Sequence, residues 1–174
     1  MLFVHIPTGD STATSGRLRA GAAQLDPDAV AKAPTRHLAV VTCMDARVDP
    51  ASVFGIAPGE AHVIRNAGAI VTDDVERSLL LSQYTLGTRT VILAGHTDCG
   101  LLGHDEEATR QLVERERGRR PTWPLGSLAD VEDGVRRGVR RLRQSPYLQH
   151  VDEVHGFVYD VATGRLREVD GDPA

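Results

Sequence analysis

Two short stretches carry residues able to act together. In VVTCMDARVDP (40–50), Cys43 closes an apolar run, with a carboxylate two residues on at Asp45 and a guanidinium two further at Arg47. In AGHTDCG (94–100), His96 and Cys99 are separated by two residues, a spacing that lets both face one metal ion. Cys43 alone could be a small core residue, half of a disulfide, a nucleophile or a metal ligand. C-x-D-x-R and H-x-x-C are each weak signals. Together they offer thiolate, imidazole and thiolate, the donor set zinc prefers. A structural zinc site closes with four protein ligands, whereas a catalytic one keeps a position for water or substrate. The chain has only two cysteines, so an open, catalytic zinc is expected at Cys43, His96 and Cys99.

These residues need elements to position them. The apolar, β-branched run at 37–42 reads as a buried strand, 61–65 as a second strand candidate, and 90–94, apolar throughout, as a third strand. A short helix is expected from Pro50, over 50–55. Another is expected over 73–86, capped by Asp73 with Glu76 reaching back, burying Val75, Leu79 and Leu86 and ending at Gly87. Two more are expected over 105–117 and 128–143, the second burying Leu128, Val131, Val135, Val139 and Leu142. Its arginines, Arg136, Arg137, Arg140, Arg141 and Arg143, read as a solvated face. Residues 155–169 read as a hairpin turning at 162–164. The fold class expected is α/β: a mostly parallel central β-sheet flanked by helices, with a C-terminal hairpin or edge strand. In such sheets ligands bind at the carboxyl ends of the strands, where Cys43, His96 and Cys99 fall.

Composition narrows the function classes. The chain has 174 residues, 41% apolar and 25% charged, enough for one domain with a sizeable core. An irregular or partly disordered N-terminal arm is expected over 1–36, with a short helix near 27–32, and a single zinc-binding α/β catalytic domain over 37–174. The net charge of −4 gives no footprint for nucleic acid. No apolar run approaches a membrane span, and the start lacks a signal-peptide pattern, so a cytoplasmic location is expected. A disulfide between Cys43 and Cys99 is not expected in that reducing compartment.

CMDAR (43–47) followed by HTDCG (96–100), with RNAGAIV (65–71) between them, resembles the β-class carbonic anhydrases, and a compact bacterial branch of them. The resemblance runs over about 37–169 and includes GFVYDVATGRL (156–166). It implies zinc held by Cys43, His96 and Cys99, with a water or the Asp45 carboxylate in the fourth position. Asp45 is then a ligand only in a closed state. Arg47 draws it off the metal when the site opens, so Asp45 and Arg47 are the expected catalytic pair. The implied reaction is the reversible hydration of carbon dioxide to bicarbonate and a proton, with activity rising with pH. Arg65, Asn66 and Gly68 would support the site. Asp98 would be a loop residue rather than a ligand, and His104 a surface histidine rather than a proton relay.

The chain departs from many relatives at Ala46, where serine is common, and at Leu101, where a second glycine follows Gly100 elsewhere. No aromatic-bearing N-terminal helix is evident, so a homodimer or higher homo-oligomer rests on the resemblance alone. Some compact relatives hydrolyse carbonyl sulfide or carbon disulfide on the same zinc site, which is the alternative function. A non-catalytic zinc-binding or redox-sensing module is the third, although it gives Asp45 and Arg47 no task.

Overall fold

β-Branched residues fill the runs expected to be strands, and a computed structural model, which describes residues 32–169, pairs them into one sheet. The strands are β1 (Leu38–Cys43), β2 (Ala61–Asn66), β3 (Thr90–His96), β4 (Val154–Asp160) and β5 (Arg165–Val169), in the order β2-β1-β3-β4-β5. All pairings are parallel except β4 with β5. The helices are α1 (Pro50–Phe54), α2 (Asp73–Leu86), α3 (Glu106–Arg117) and α4 (Val131–Arg143). The irregular arm expected over 1–36 and the short helix near 27–32 lie outside the described residues, save 32–36, which follow bends and turns.

Side chains alternate across β1, and the core divides accordingly. Ala39, Val41 and Cys43 face a large cluster that contains Val75 and Leu79 of α2 and Val135, Val139 and Leu142 of α4. Leu38 and Val40 face a smaller one with Ile56, against which Phe54 of α1 packs. Cys43 thus lies on the more heavily covered face.

Two strands run further than the apolar runs suggest. Cys43 is the last residue of β1, paired with Asn66, and His96 is the last of β3, paired with Tyr159. Both ligand candidates are therefore held by the sheet ladder rather than by a loop beyond it.

The helix ends show three differences from expectation. Thr72, not Asp73, caps α2, its hydroxyl accepting the Val75 amide at 3.3 Å. Glu76 does not reach back to the cap; its carboxylate accepts from Ser145 and from Arg141 of α4. α4 starts at Val131 under an Asp130 cap, because Leu128 is drawn into an isolated bridge with Leu102. Val75, Leu79, Leu128, Val131, Val135, Val139 and Leu142 are buried, whereas Leu86 is half-buried. Gly87 ends α2 in the left-handed conformation, and the hairpin turn closes on the Asp160 carboxylate.

The arginines of α4 are more engaged than a solvated face would be. Arg136 and Arg137 pair with Glu132 and Asp133 one turn back. Arg141 donates to the Val71 carbonyl and the Asp73 carboxylate, and Arg143 to the Val154 carbonyl.

α4 approaches the sheet closely enough to require glycine. A Cβ on Gly95, beside His96, would lie 2.8 Å from Val131, and one on Gly138 would lie 2.4 Å from Leu93 and 3.1 Å from Val71. Leu93 is fully buried and has no room to withdraw. Gly138→Ala is therefore expected to destabilise by about 1–3 kcal/mol through overpacking, read by urea unfolding. A loss below about 0.5 kcal/mol, the level of an ordinary surface change, would show that the helix can shift.

Candidate metal centre

The parallel register places the ends of β1 and β3 side by side. Cys43 and His96 come from those ends, and Cys99 from the turn that follows β3. All three are buried, and their ligand atoms lie within 4.8 Å of one another. The two sulfurs are 4.0 Å apart and both cysteines are free. Two thiolates on a tetrahedral zinc, each at ~2.3 Å, stand ~3.8 Å apart, so the observed separation suits a shared ion.

The imidazole supplies the sharper observation. Nδ1 of His96 lies 2.9 Å from the Thr97 carbonyl. A carbonyl only accepts, so Nδ1 carries the proton and Nε2 presents a lone pair. That Nε2 is buried and has no hydrogen-bond partner among the described residues. An acceptor left so in a protein interior costs about 1–3 kcal/mol, and a metal ion at the point where both sulfurs converge would satisfy it. The residues present fit such an ion.

The surroundings tune the thiols. Burial raises the Cys99 thiol above its ordinary value; the Leu101 amide opposes this, and the neighbouring Cys43 adds to it. The Gly68 amide donates to the Cys43 sulfur at 3.4 Å. Gly68 has φ +76, and a Cβ there would stand 2.9 Å from Leu101. Metal binding must displace thiol protons, so affinity is expected to fall as the solution becomes more acid.

Asp45 and Arg47 sit at the rim. The Arg47 side chain donates from Nε to Oδ1 of Asp45 at 2.9 Å and from Nη2 to Oδ2 at 2.8 Å, and its amide donates to Oδ1 at 2.9 Å. Oδ2 is at the same time 3.8 Å from Nε2 of His96. The carboxylate is thus beside the cluster but fully engaged by Arg47. These bonds, the side-chain pair first, hold the Asp45 carboxyl well below the usual carboxylate range.

The supporting loop comes from the end of β2. Arg65 donates to the carbonyls of Cys43 at 3.0 Å and Asp45 at 2.8 Å, and the Asn66 side chain closes its own loop on both backbone groups of Ile70. Asp98, expected to be a loop residue, accepts from Arg47 through both its carboxylate and its carbonyl. His104 lies towards α3, with Nε2 3.4 Å from the Thr109 hydroxyl. A cleft of about 430 Å³ opens beside the cluster, lined by Cys43, Met44, Asp45, Ala46, Arg47, Ala67, Gly68, Cys99, Gly100 and Leu101.

A carboxyl group stabilised as its anion in the fold favours the folded state above its unfolded value, near 3.8, and loses that contribution as pH falls towards its folded one. In metal-free protein, the stability difference between wild type and Arg47→Ala is expected to be full at about pH 6 and to shrink steadily below about pH 4. Thermal unfolding across that range checks it; a constant difference would mean that Arg47 stabilises the fold by packing alone.

Known proteins resemble this chain over most of its length. Residues 38–166 match the family model described as carbonic anhydrase. The chain is 50% identical over 136 residues to β-carbonic anhydrase 1 of Mycobacterium tuberculosis, covering 78% of this chain and 83% of that protein. It is 35% identical over 159 residues to carbon disulfide hydrolase of an Acidianus species, covering 76% and 77%. Among solved structures, a carbonic anhydrase from Streptococcus mutans superposes with a TM-score of 0.76 at 33% identity, covering 98% of this chain and all of that one.

Proposed function

The chain belongs to the β-carbonic anhydrase family, and on that premise we propose that zinc is its metal, held by Cys43, His96 and Cys99, with Asp45 and Arg47 as the catalytic pair. The reaction of the family is the reversible hydration of carbon dioxide to bicarbonate and a proton. The observation that carries the residue assignment is the buried, unpartnered Nε2 of His96 facing two free cysteine sulfurs. Zinc fits the mixed thiolate and imidazole donors better than magnesium or calcium, which take oxygen ligands.

When bound in such a site, zinc lowers the pKa of a coordinated water to about 7. The remaining tasks fall to the chain. His96 is oriented by the Thr97 carbonyl, so its free nitrogen points at the ligand position. Arg47 keeps the Asp45 carboxylate engaged through two parallel donors, a grip that lysine does not reproduce. Held there beside the cluster, Asp45 would accept a hydrogen bond from the attacking group and orient it. Without that grip, Asp45, whose Oδ2 lies 3.8 Å from Nε2 of His96, would be free to join Cys43, His96 and Cys99 in holding the ion and close the site. Apolar walls from Met44, Ala67 and Leu101 suit a small linear substrate without charge.

A second reading keeps the site and changes the substrate. Carbon disulfide hydrolases are among the relatives, and carbonyl sulfide and carbon disulfide share the linear shape of carbon dioxide. The higher identity to β-carbonic anhydrase 1 favours carbon dioxide.

A homodimer or higher homo-oligomer is part of this proposal. β2 is a sheet edge, and Val63 and Leu81 are both exposed along one hollow beside it. No helix among the described residues is long and apolar enough to cross a membrane. Two free cysteines suit the reducing cytoplasm, where we place the protein.

Stopped-flow hydration of carbon dioxide by the zinc-loaded protein tests the activity. Turnover is expected to climb between about pH 7 and about pH 8.5, across and above the zinc-water range. Asp45→Asn is expected to lower kcat/KM by about 10- to 100-fold, the usual cost of losing a group that orients a metal site, with one zinc per chain retained. Faster hydrolysis of carbon disulfide or carbonyl sulfide than hydration of carbon dioxide would transfer the assignment to the second reading. Sedimentation velocity checks the assembly: a single species at the chain mass would remove the oligomer.

A further inference from the structure

The Asp45–Arg47 pair is not self-contained. A guanidinium has five N–H donors in a rigid fork, and Asp45 engages one side of it. The other side faces the turn between His96 and Cys99. Nη1 of Arg47 donates to Oδ2 of Asp98 at 2.7 Å, and Nη2 donates to the Asp98 carbonyl at 2.8 Å. Asp98 holds a left-handed backbone, φ +55, which aspartate tolerates better than most residues. With that backbone, both its carboxylate and its carbonyl reach the same guanidinium.

Resting on the reading above, in which Arg47 draws Asp45 off the metal, we propose that Asp98 is a positioning residue that anchors Arg47, so that Asp45 stays with the guanidinium instead of taking it towards the ligand cluster. The distances make the anchor necessary. Oδ2 of Asp45 is only 3.8 Å from Nε2 of His96, so a small rotation would bring it among the ligand atoms of the cluster. The Arg47 side chain is half-exposed, with a long flexible stem, and Asp45 alone would leave it free to follow. Asp98 fixes its far edge. Because Asp98 adjoins Cys99, the anchor belongs to the same turn that supplies a ligand, and Arg47 bridges the two metal-bearing loops. The bonds to Asp45 and Asp98 are made at once by different donors, with Nη2 shared, so Asp98 supports the pair rather than competing for it.

The test uses Asp98→Ala, Asp98→Gly and Asp98→Asn in full-length protein loaded with cobalt(II), whose visible absorption reports its ligands. Thiocyanate enters the fourth position only where Asp45 has left it, so its apparent affinity scales with the open fraction. In the alanine and glycine variants the open-to-closed ratio is expected to fall by about two- to fivefold, the range for an exposed ion pair. Thiocyanate affinity and kcat/KM for carbon dioxide should drop together, with metal content unchanged at one per chain. Asp98→Asn keeps an acceptor and the backbone tolerance, and should recover most of the loss. Unchanged thiocyanate affinity in the alanine and glycine variants overturns the inference. So does a defect confined to alanine, which would place the effect in backbone strain, or a fall in metal content, which would place it in the ligand turn itself. A wild-type protein that takes up no metal, or takes it up and hydrates no carbon dioxide, overturns the underlying reading as well.

Discussion

The arrangement depends on a buried imidazole nitrogen that has nothing to bond to among the described residues. Its partner ring nitrogen is committed to the Thr97 carbonyl, which fixes both the tautomer and the ring. Two sulfurs converge on the same point. Without a cation these groups would be costly to bury together, since burial pushes the Cys99 thiol towards its neutral form and the nitrogen loses water without replacement. With a divalent cation, two thiolates balance the charge and a neutral imidazole completes the set. A further carboxylate makes the centre anionic, so a nearby arginine that holds Asp45 away also keeps the charge even.

The sheet serves this point directly. Parallel neighbours deliver their C-terminal ends to the same edge, and β1 lies between β2 and β3. β1 and β3 supply two of the ligand candidates, Cys43 and His96, and β2 supplies Arg65, which ties down the carbonyls on either side of Met44. The glycines of β3 and α4 let the helix rest on the sheet beside His96. The ligand candidates are thus fixed by the most buried part of the molecule, while the Asp45–Arg47 pair sits at its exposed rim. That division would suit a centre whose ligands stay in place while one carboxylate moves.

Much of this was legible in the sequence because the signals are local. The apolar runs of β1 and β3, the 3.6-residue pattern of α4, Gly87 and the Asp160 turn are each decided within a few residues. The α2 cap was misassigned because Thr72 and Asp73 are adjacent and both able to cap; the backbone chose the hydroxyl, and Glu76 was drawn away by Arg141 and Ser145. The start of α4 was misplaced because Leu128 fits the helical stripe but pairs with Leu102 instead. The grip of Asp98 on Arg47 spans 51 positions, and that of Arg65 on Cys43 spans 22. Nothing in the spacing announces such contacts, since they exist only once the strand ends have been brought together.

α3 stands apart from all this. It is capped at both ends, yet none of its residues is fully buried, and the stretch that follows it is tied to it by polar contacts such as Arg120 with Glu107 and the Arg110 guanidinium with the Trp123 carbonyl. Such a segment contributes little to the cohesion of the core, and its backbone hydrogen bonds open at low cost. Changes of charge there fall on local ion pairs rather than on the buried core that holds the cluster, so this stretch can be altered at little cost to the centre.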